Sequence, residues 1–174
     1  ELAAGFEGDR PGSTEVLSAD LLDPAQRDAV IERLSRDDID VLVNNAGFGP
    51  PGPFADDDPE RAARVVQLNI EVLVRLTHAA LGPMRTRESG HIVQMASLAA
   101  YQPAPNFAVY SATKAFVLSF SEAVHEEVKA DGVQILTICP GFTRTEFQES
   151  NDAHAPFLPN ILWSQPHHVT ECIL

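Results

Sequence analysis

The chain has 174 residues, which fits one domain with a sizeable hydrophobic core. Its formal net charge of −13 argues against nucleic acid or an anionic membrane as a partner, because their phosphates would be repelled. The sequence contains no run of about 18 apolar residues, so no membrane-spanning helix is expected, and the N-terminus does not resemble a signal peptide. The two cysteines, Cys139 and Cys172, are predicted free thiols, so we expect a cytoplasmic protein.

The predicted elements begin with a β-rich run at 14–20. A helix follows in which Asp23 is the predicted N-cap, Pro24 the first helical residue and Gln26 the third residue of a capping box. A side-chain acceptor, a proline in the next position and an amide side chain three residues after the acceptor are typical of a helix start. The start of this helix is therefore predicted from local chemistry alone.

Strands and helices continue to alternate along the chain. The later predicted elements are buried strands at 39–49, 90–97 and 133–141, and long helices at about 59–81 and 108–130. Repeated β–α units predict an α/β fold in which residues 1–174 form one domain, with a doubly wound parallel sheet and helices on both faces.

Polar and glycine residues stand where the predicted strands end. These strand ends are Asp20, residues 44–47, Ser97 and residues 140–141. Because the carboxyl ends of parallel strands share one edge, and ligands bind there, we expect these residues to lie close together.

Tyr110 and Lys114 are four residues apart in the last long helix and therefore share a helix face. A tyrosine with an ordinary pKa of about 10 is a poor base near neutrality, but a nearby ammonium lowers that pKa. A serine such as Ser97 could hydrogen-bond a substrate oxygen that changes between carbonyl and alkoxide. A surface tyrosine and lysine would show the same spacing, so the pair alone does not decide between catalysis and an ordinary helix.

The wider set of motifs resembles the classical short-chain dehydrogenases/reductases. It comprises NNAG at 44–47, Asn69 within LNI, MAS ending at Ser97, YSATK at 110–114 and PG at 140–141, and the resemblance extends from about residue 19 to about residue 147. It implies a Rossmann-type sheet and an enzyme that transfers hydride between a nicotinamide cofactor and a carbonyl or alcohol.

The resemblance also implies catalytic roles for four residues. Tyr110 would be the acid/base, and Lys114 would bind the nicotinamide ribose and depress the tyrosine pKa. Ser97 would orient the substrate oxygen, and Asn69 would hold a water that links Lys114 to solvent. For Asn69 the alternative is an ordinary helix-cap or edge polar residue.

Cofactor contacts are implied at residues that match the family positions. They are Asp20, Asn44, Ala46, Gly47, Tyr110, Lys114, Pro140, Gly141 and Thr143, with Thr145 as a further polar contact. Asp20 could equally be a turn or cap residue, and residues 140–143 could be a plain turn. Asn45 is expected to tie neighbouring strands. The six histidines show no ligand spacing, so no metal is expected.

The chain departs from the family pattern at both ends. The family's first β-α-β unit, with its TGxxxGxG turn, and its last strand are not recognisable. Because that unit contacts the adenosine ribose, both NADP and NAD stay open. The passages at 13–26 and 119–124 resemble the bacterial general-reductase branch of the family, and this resemblance favours NADP.

Apolar residues in the later loops, among them Phe142, Phe147 and Trp163, predict a lid at 146–168 over an apolar carbonyl or alcohol substrate, although they could pack locally instead. The resemblance implies a homodimer or homotetramer that assembles through the two long helices. Two other functions stay open, a nucleotide-sugar epimerase or dehydratase and a non-catalytic nucleotide-sensing protein.

Overall fold

The computed structural model describes residues 16–143, 163–165 and 169. The elements are helix α1 (Pro24–Leu34), strand β1 (Val41–Asn44), helix α2 (Pro59–Val66), a π-helical segment (Gln67–Val72), helix α3 (Leu73–Thr86), strand β2 (Gly90–Met95), helix α4 (Ala108–Val128), strand β3 (Val133–Ile138), and the short strands β4 (Phe142–Thr143) and β5 (Trp163–Ser164). Within these ranges, no helix combines the length and apolar character that crossing a bilayer requires.

Helices α1 and α2 begin as their sequences predict. The Asp23 carboxylate accepts from the Gln26 backbone N–H at 2.9 Å, and the Asp58 carboxylate accepts from Glu60 at 3.0 Å. The predicted capping box is wrong for the second of its two hydrogen bonds, the one from the Asp23 N–H to the Gln26 side chain. The Gln26 side chain accepts from the backbone N–H of Asp20 at 2.9 Å, because Asp23 donates its own N–H to the Asp20 carbonyl in the preceding turn.

Strands β1, β2 and β3 form a parallel sheet in that order. The predicted parallel α/β architecture is therefore confirmed. One core cluster joins α1, α3 and α4 to the same side of the sheet, through residues that include Leu34, Leu76, Met84, Ile92, Val128 and Ile135. Right-handed crossovers that all advance in one direction place successive helices on a single face, which accounts for this arrangement.

The other face of the sheet is partly open in the described part of the chain. Val41, Val43 and Leu136 point away from the core cluster and are 52%, 47% and 43% exposed. The described helices therefore cover one face of the sheet, and the predicted helices on the other face are not among them.

Residues 16–20, the described part of the predicted strand at 14–20, are not a strand. Val16 and Leu17 are largely exposed, and Asp20 forms the turn into α1. A strand needs a neighbour to complete its hydrogen-bond ladder, and these residues pair with no described strand. The sequence pattern showed β propensity but could not show the missing partner.

The predicted lid at 146–168 lies outside the described residues, apart from 163–165. There, Trp163–Ser164 pairs in parallel with Phe142–Thr143, directly after the third strand of the sheet. This pairing brings the two ends of the intervening segment together beside the carboxyl edge of β3.

Candidate active site

The loops after β2 and β3 are joined by backbone hydrogen bonds at the carboxyl edge of the sheet. The Ala96 N–H donates to the Ile138 carbonyl at 2.8 Å, and the Leu98 N–H donates to the Pro140 carbonyl at 2.9 Å. Ser97 lies between these two bonds, so its position is fixed by the sheet itself. The Ser97 hydroxyl also accepts from the Ala99 N–H at 3.1 Å, which orients its side chain.

Tyr110, Lys114 and Ser97 converge at this edge. The side chains of Tyr110 and Ser97 are hydrogen-bonded to each other. The Lys114 Nζ lies 5.7 Å from the centroid of the Tyr110 ring and donates to the Met95 carbonyl at 2.6 Å. Helix α4 thus presents the tyrosine and the lysine on one face, toward the serine at the end of β2.

Burial controls the protonation of both α4 residues. Desolvation lowers the pKa of Lys114 to about 8, with a smaller opposing effect from nearby Cys139. Desolvation raises the pKa of Tyr110 above its usual value of 10.0, and the hydrogen bond with Ser97 only partly opposes this. The net shift of the Tyr110 pKa in the protein alone is therefore upward, because burial of the phenol outweighs its hydrogen bond with Ser97. The lowering of this pKa by Lys114 stays a prediction.

Asn69 occupies the π-helical segment and is almost fully buried. Its Oδ1 accepts from the Phe48 N–H at 3.1 Å, and its Nδ2 donates to the Phe48 carbonyl at 2.9 Å and to the Thr113 hydroxyl at 3.0 Å. The π-helical segment interrupts an otherwise regular helix at this residue, and such segments are frequent at functional sites. Both ends of the Asn69 amide therefore have protein partners, and the residue is neither a helix cap nor an edge residue.

Gly47 borders the space between Asn69 and Lys114. A Cβ at residue 47 would lie 3.0 Å from the Asn69 Oδ1 and 3.7 Å from the Lys114 Nζ. The two side chains therefore approach one point above a residue that has no side chain. This is a cradle that any other amino acid would partly fill.

Asn44 is used inside the protein rather than at the edge. Its Nδ2 donates to the Thr77 hydroxyl at 3.1 Å and to the Gln94 Oε1 at 3.0 Å, and Gln94 in turn donates to Thr77 at 2.9 Å. This buried network ties β1, β2 and α3 together. The expectation that Asn45 ties the strands is wrong, because Asn45 is exposed and Asn44 makes these bonds.

The other predicted cofactor residues make no described hydrogen bond to Ser97, Tyr110 or Lys114. Ala46 and Gly141 are exposed, while Pro140 and Thr143 are partly buried, with the Thr143 hydroxyl donating to the Gly141 carbonyl at 3.2 Å. The Asp20 carboxylate accepts from the Leu22 N–H at 2.9 Å, as expected for a turn residue. Among residues 16–143, 163–165 and 169, no group of three or more His, Cys, Asp or Glu side chains could hold a metal ion.

Three contributors to the site were not identified from the sequence. They are the Met95 carbonyl, the Thr113 hydroxyl and Gly49. Thr113 stands between Tyr110 and Lys114 in YSATK, and Gly49 follows the NNAG motif by two residues, so both positions were visible. Their roles depend on contacts across the fold that no local pattern encodes.

The sequence profile of the short chain dehydrogenase family matches residues 2–156. An acetoacetyl-CoA reductase from Paracoccus denitrificans is 32% identical over 142 residues, which are 78% of this chain. The chain spans 59% of that relative's length.

Solved structures agree with the sequence match. A short-chain dehydrogenase from Sphingobium yanoikuyae in complex with NADPH superposes with a TM-score of 0.90 at 32% identity, over 99% of this chain and 67% of that one. A bulky-bulky ketone specific alcohol dehydrogenase from Comamonas testosteroni superposes with a TM-score of 0.86 at 27% identity, over 99% of this chain and 65% of that one. Together with the convergence of Ser97, Tyr110 and Lys114, these matches show that the chain belongs to the short-chain dehydrogenase family.

Proposed function

We propose that the protein is an NAD(P)-dependent oxidoreductase that interconverts a carbonyl compound and its alcohol, with Tyr110 as the acid/base. The observation that carries this proposal is the convergence of Ser97, Tyr110 and Lys114 at the carboxyl edge of a parallel sheet. Ligands bind at that edge in such sheets.

The described residues fit the ribose end of a nicotinamide cofactor. The Lys114 ammonium carries three protons and, among described groups, donates to Met95 alone, so two donors remain for ribose hydroxyls. Gly47 permits close approach beside them, and the backbone of Asn44 and Ala46, with Pro140, Gly141 and Thr143, completes the proposed contacts. Asp20 is proposed at the adenine end. The cofactor supplies the hydride.

Proton transfer falls to the protein. In carbonyl reduction the Tyr110 hydroxyl donates its proton to the substrate oxygen, while the Ser97 hydroxyl orients that oxygen. The Tyr110 phenol, whose pKa burial raises above its usual 10.0, is protonated at neutral pH, and this is the form that reduction consumes. Asn69 and Lys114 are proposed to return the proton through a water beside Gly47.

NADP is the favoured cofactor, and a bulky apolar ketone is the favoured substrate class. The Sphingobium relative was solved with NADPH, and the Comamonas relative is specific for bulky ketones. A shallow, open depression beside Tyr110 is lined mainly by apolar residues, among them Phe54, Val65 and Phe107. Residues 146–168 are proposed to cover the substrate.

Assembly through the two long helices is proposed on the basis of exposed aromatic surface. Phe116 is 38% exposed on α4 and stacks on Phe120, with ring centroids 5.6 Å apart. Val66 at the end of α2 is 43% exposed. Apolar surface of this kind is typical of a subunit contact, which supports a homodimer or homotetramer. The free thiol of Cys139 is the basis on which we propose a cytoplasmic location.

An assay of NADPH and NADH oxidation distinguishes this proposal from the two alternatives, a nucleotide-sugar epimerase or dehydratase and a non-catalytic nucleotide-sensing protein. NADPH and NADH are followed at 340 nm with aliphatic and aromatic ketones of increasing bulk, and UDP-sugars are tested separately for epimerisation or dehydration. Consumption of NADPH that requires a ketone is the expected result. Turnover of UDP-sugars alone would identify an epimerase or dehydratase, and cofactor binding without any turnover would identify a sensing protein.

A further inference from the structure

The loop Phe48–Gly52, called here the clamp loop, is held at both ends. At its start the Asn69 amide accepts from the Phe48 N–H and donates to the Phe48 carbonyl, at 3.1 and 2.9 Å. At its end the Gly52 N–H donates to the carbonyl of Asn106, just before α4, at 2.8 Å. These bonds fix the loop against both α4 and the π-helical segment.

Gly49, inside the clamp loop, lies directly on the side chain of Tyr110. A Cβ at residue 49 would stand 2.1 Å from the Tyr110 Cδ2, 2.5 Å from its Cγ and 2.7 Å from its Cβ. Real Cβ contacts essentially never fall below 3.0 Å, and these are the atoms at the root of the side chain, which cannot swing aside. A side chain here would displace either the ring or the loop.

Backbone conformation does not explain the glycine. The positive-φ glycines among the described residues are Gly52 and Gly132, and Gly49 is not one of them. An alanine could therefore adopt the Gly49 backbone, and the packing of Tyr110 is what excludes it. On another side, Phe107 meets the Tyr110 ring edge-on, with centroids 6.2 Å apart.

We propose that Gly49 is a positioning residue that seats Tyr110, and that Asn69 holds Gly49 in place through its grip on Phe48. Asn69 then acts on the acid/base through a rigid loop, in addition to any proton relay. This inference rests on the proposed role of Tyr110. It assigns a function to the glycine that follows NNAGF in this chain.

The first test compares Gly49→Ala with Gly82→Ala in the full-length protein. Gly82 is an exposed residue of α3 whose added Cβ would meet nothing within 4 Å, so it is a matched control. We expect Gly49→Ala to lower kcat for ketone reduction by roughly 10- to 100-fold, since displacement of a reacting group by about 1 Å has effects of this size. The Kd for NADPH should change less than about threefold, and Gly82→Ala should match the wild type.

A second test detects the contact without catalysis. In the wild-type background, Gly49→Ala should lower the Tm by about 5 °C because it overpacks the contact with Tyr110. In a Tyr110→Ala background, which lacks the two nearest atoms, Gly49→Ala should lower the Tm by at most half as much. If Gly49→Ala does not fold, recovery of folding in the double variant supports the contact, and failure to recover overturns it.

The two proposals fail in different ways. Full activity in Tyr110→Phe would overturn the part of the proposed function on which this inference rests, the role of Tyr110 as the acid/base. If Tyr110→Phe is inactive but Gly49→Ala keeps the kcat of Gly82→Ala, the positioning role of Gly49 is overturned and the proposed function stands.

Discussion

At the residue scale, Lys114 combines burial with a function that requires charge. Its side chain is 7% exposed, and desolvation lowers its pKa to about 8. A buried ammonium costs stability unless it is well partnered, and the described partner is one carbonyl. Residues at functional sites often carry such a cost, because the site needs what the fold would avoid.

Cofactor binding should therefore weaken as pH rises through about 8, because Lys114 loses the proton that its ammonium offers to the ribose. The Kd for NADPH, measured by fluorescence between pH 6.5 and 10, should rise by roughly an order of magnitude across this range. Lys114→Arg keeps its charge and should move the rise to higher pH. A wild-type Kd that stays flat to pH 10 would contradict this role.

The same shift makes a prediction about stability. The unfolded chain, with a lysine pKa near 10.5, binds more protons than the folded protein between pH 8 and 10.5, so the free energy of unfolding should rise with pH across that window. At pH 7, Lys114→Met should stabilise the protein by about 1–2 kcal/mol, less than the pKa shift alone implies because the bond to Met95 is lost. Urea unfolding checks this, and equal or lower stability in Lys114→Met would contradict it.

At the element scale, the π-helical segment depends on contacts that the sequence does not reveal. Residues 67–72, QLNIEV, have ordinary helical propensity and lie within the long helix predicted at about 59–81. What supports the segment is the set of bonds from Asn69 to Phe48 and Thr113, which lie 21 and 44 residues away. Tyr110 and Lys114 were predictable as neighbours because a helix repeats every 3.6 residues.

The Thr113 hydroxyl should be needed to hold α4 against the π-helical segment. It accepts from the Asn69 Nδ2 and donates to the Tyr110 carbonyl at 2.7 Å, and the residue is 1% exposed. Thr113→Val keeps the shape but removes the acceptor, which should cost about 1–3 kcal/mol of unfolding free energy. Thr113→Ser keeps the hydroxyl and should recover most of this loss. Equal stability of the valine and serine variants would show that the hydroxyl is dispensable.

At the scale of the whole molecule, alternation of apolar strands and helices was enough to predict a parallel sheet with its polar residues at one edge. Residues 16–20, the described part of the strand predicted at 14–20, do not form a strand, because strand formation depends on a partner that composition does not encode. The positions of Ser97, Tyr110 and Lys114 at one edge follow from the topology. The contact of Gly49 with Tyr110 does not, because it depends on loop geometry at the scale of single atoms.

The aromatic surface of α4 should hold subunits together. Phe116→Glu places a charge in the proposed contact and should lower the molar mass in light scattering coupled to gel filtration, toward that of a smaller assembly. Val16→Glu, at a 69% exposed residue outside both long helices, should leave the mass unchanged. A Phe116→Glu protein with the mass of the wild type would contradict assembly through this surface.

The rate of ketone reduction by Tyr110→Phe tests the central claim most directly. General acid catalysis contributes roughly 10²- to 10⁴-fold, so kcat should fall by about that factor while the Kd for NADPH stays within about threefold of the wild type. Tyr101→Phe, which removes the hydroxyl of a 66% exposed tyrosine, serves as the control and should keep its rate. A Tyr110→Phe enzyme that reduces ketones at the wild-type rate would contradict the assignment of Tyr110 as the acid.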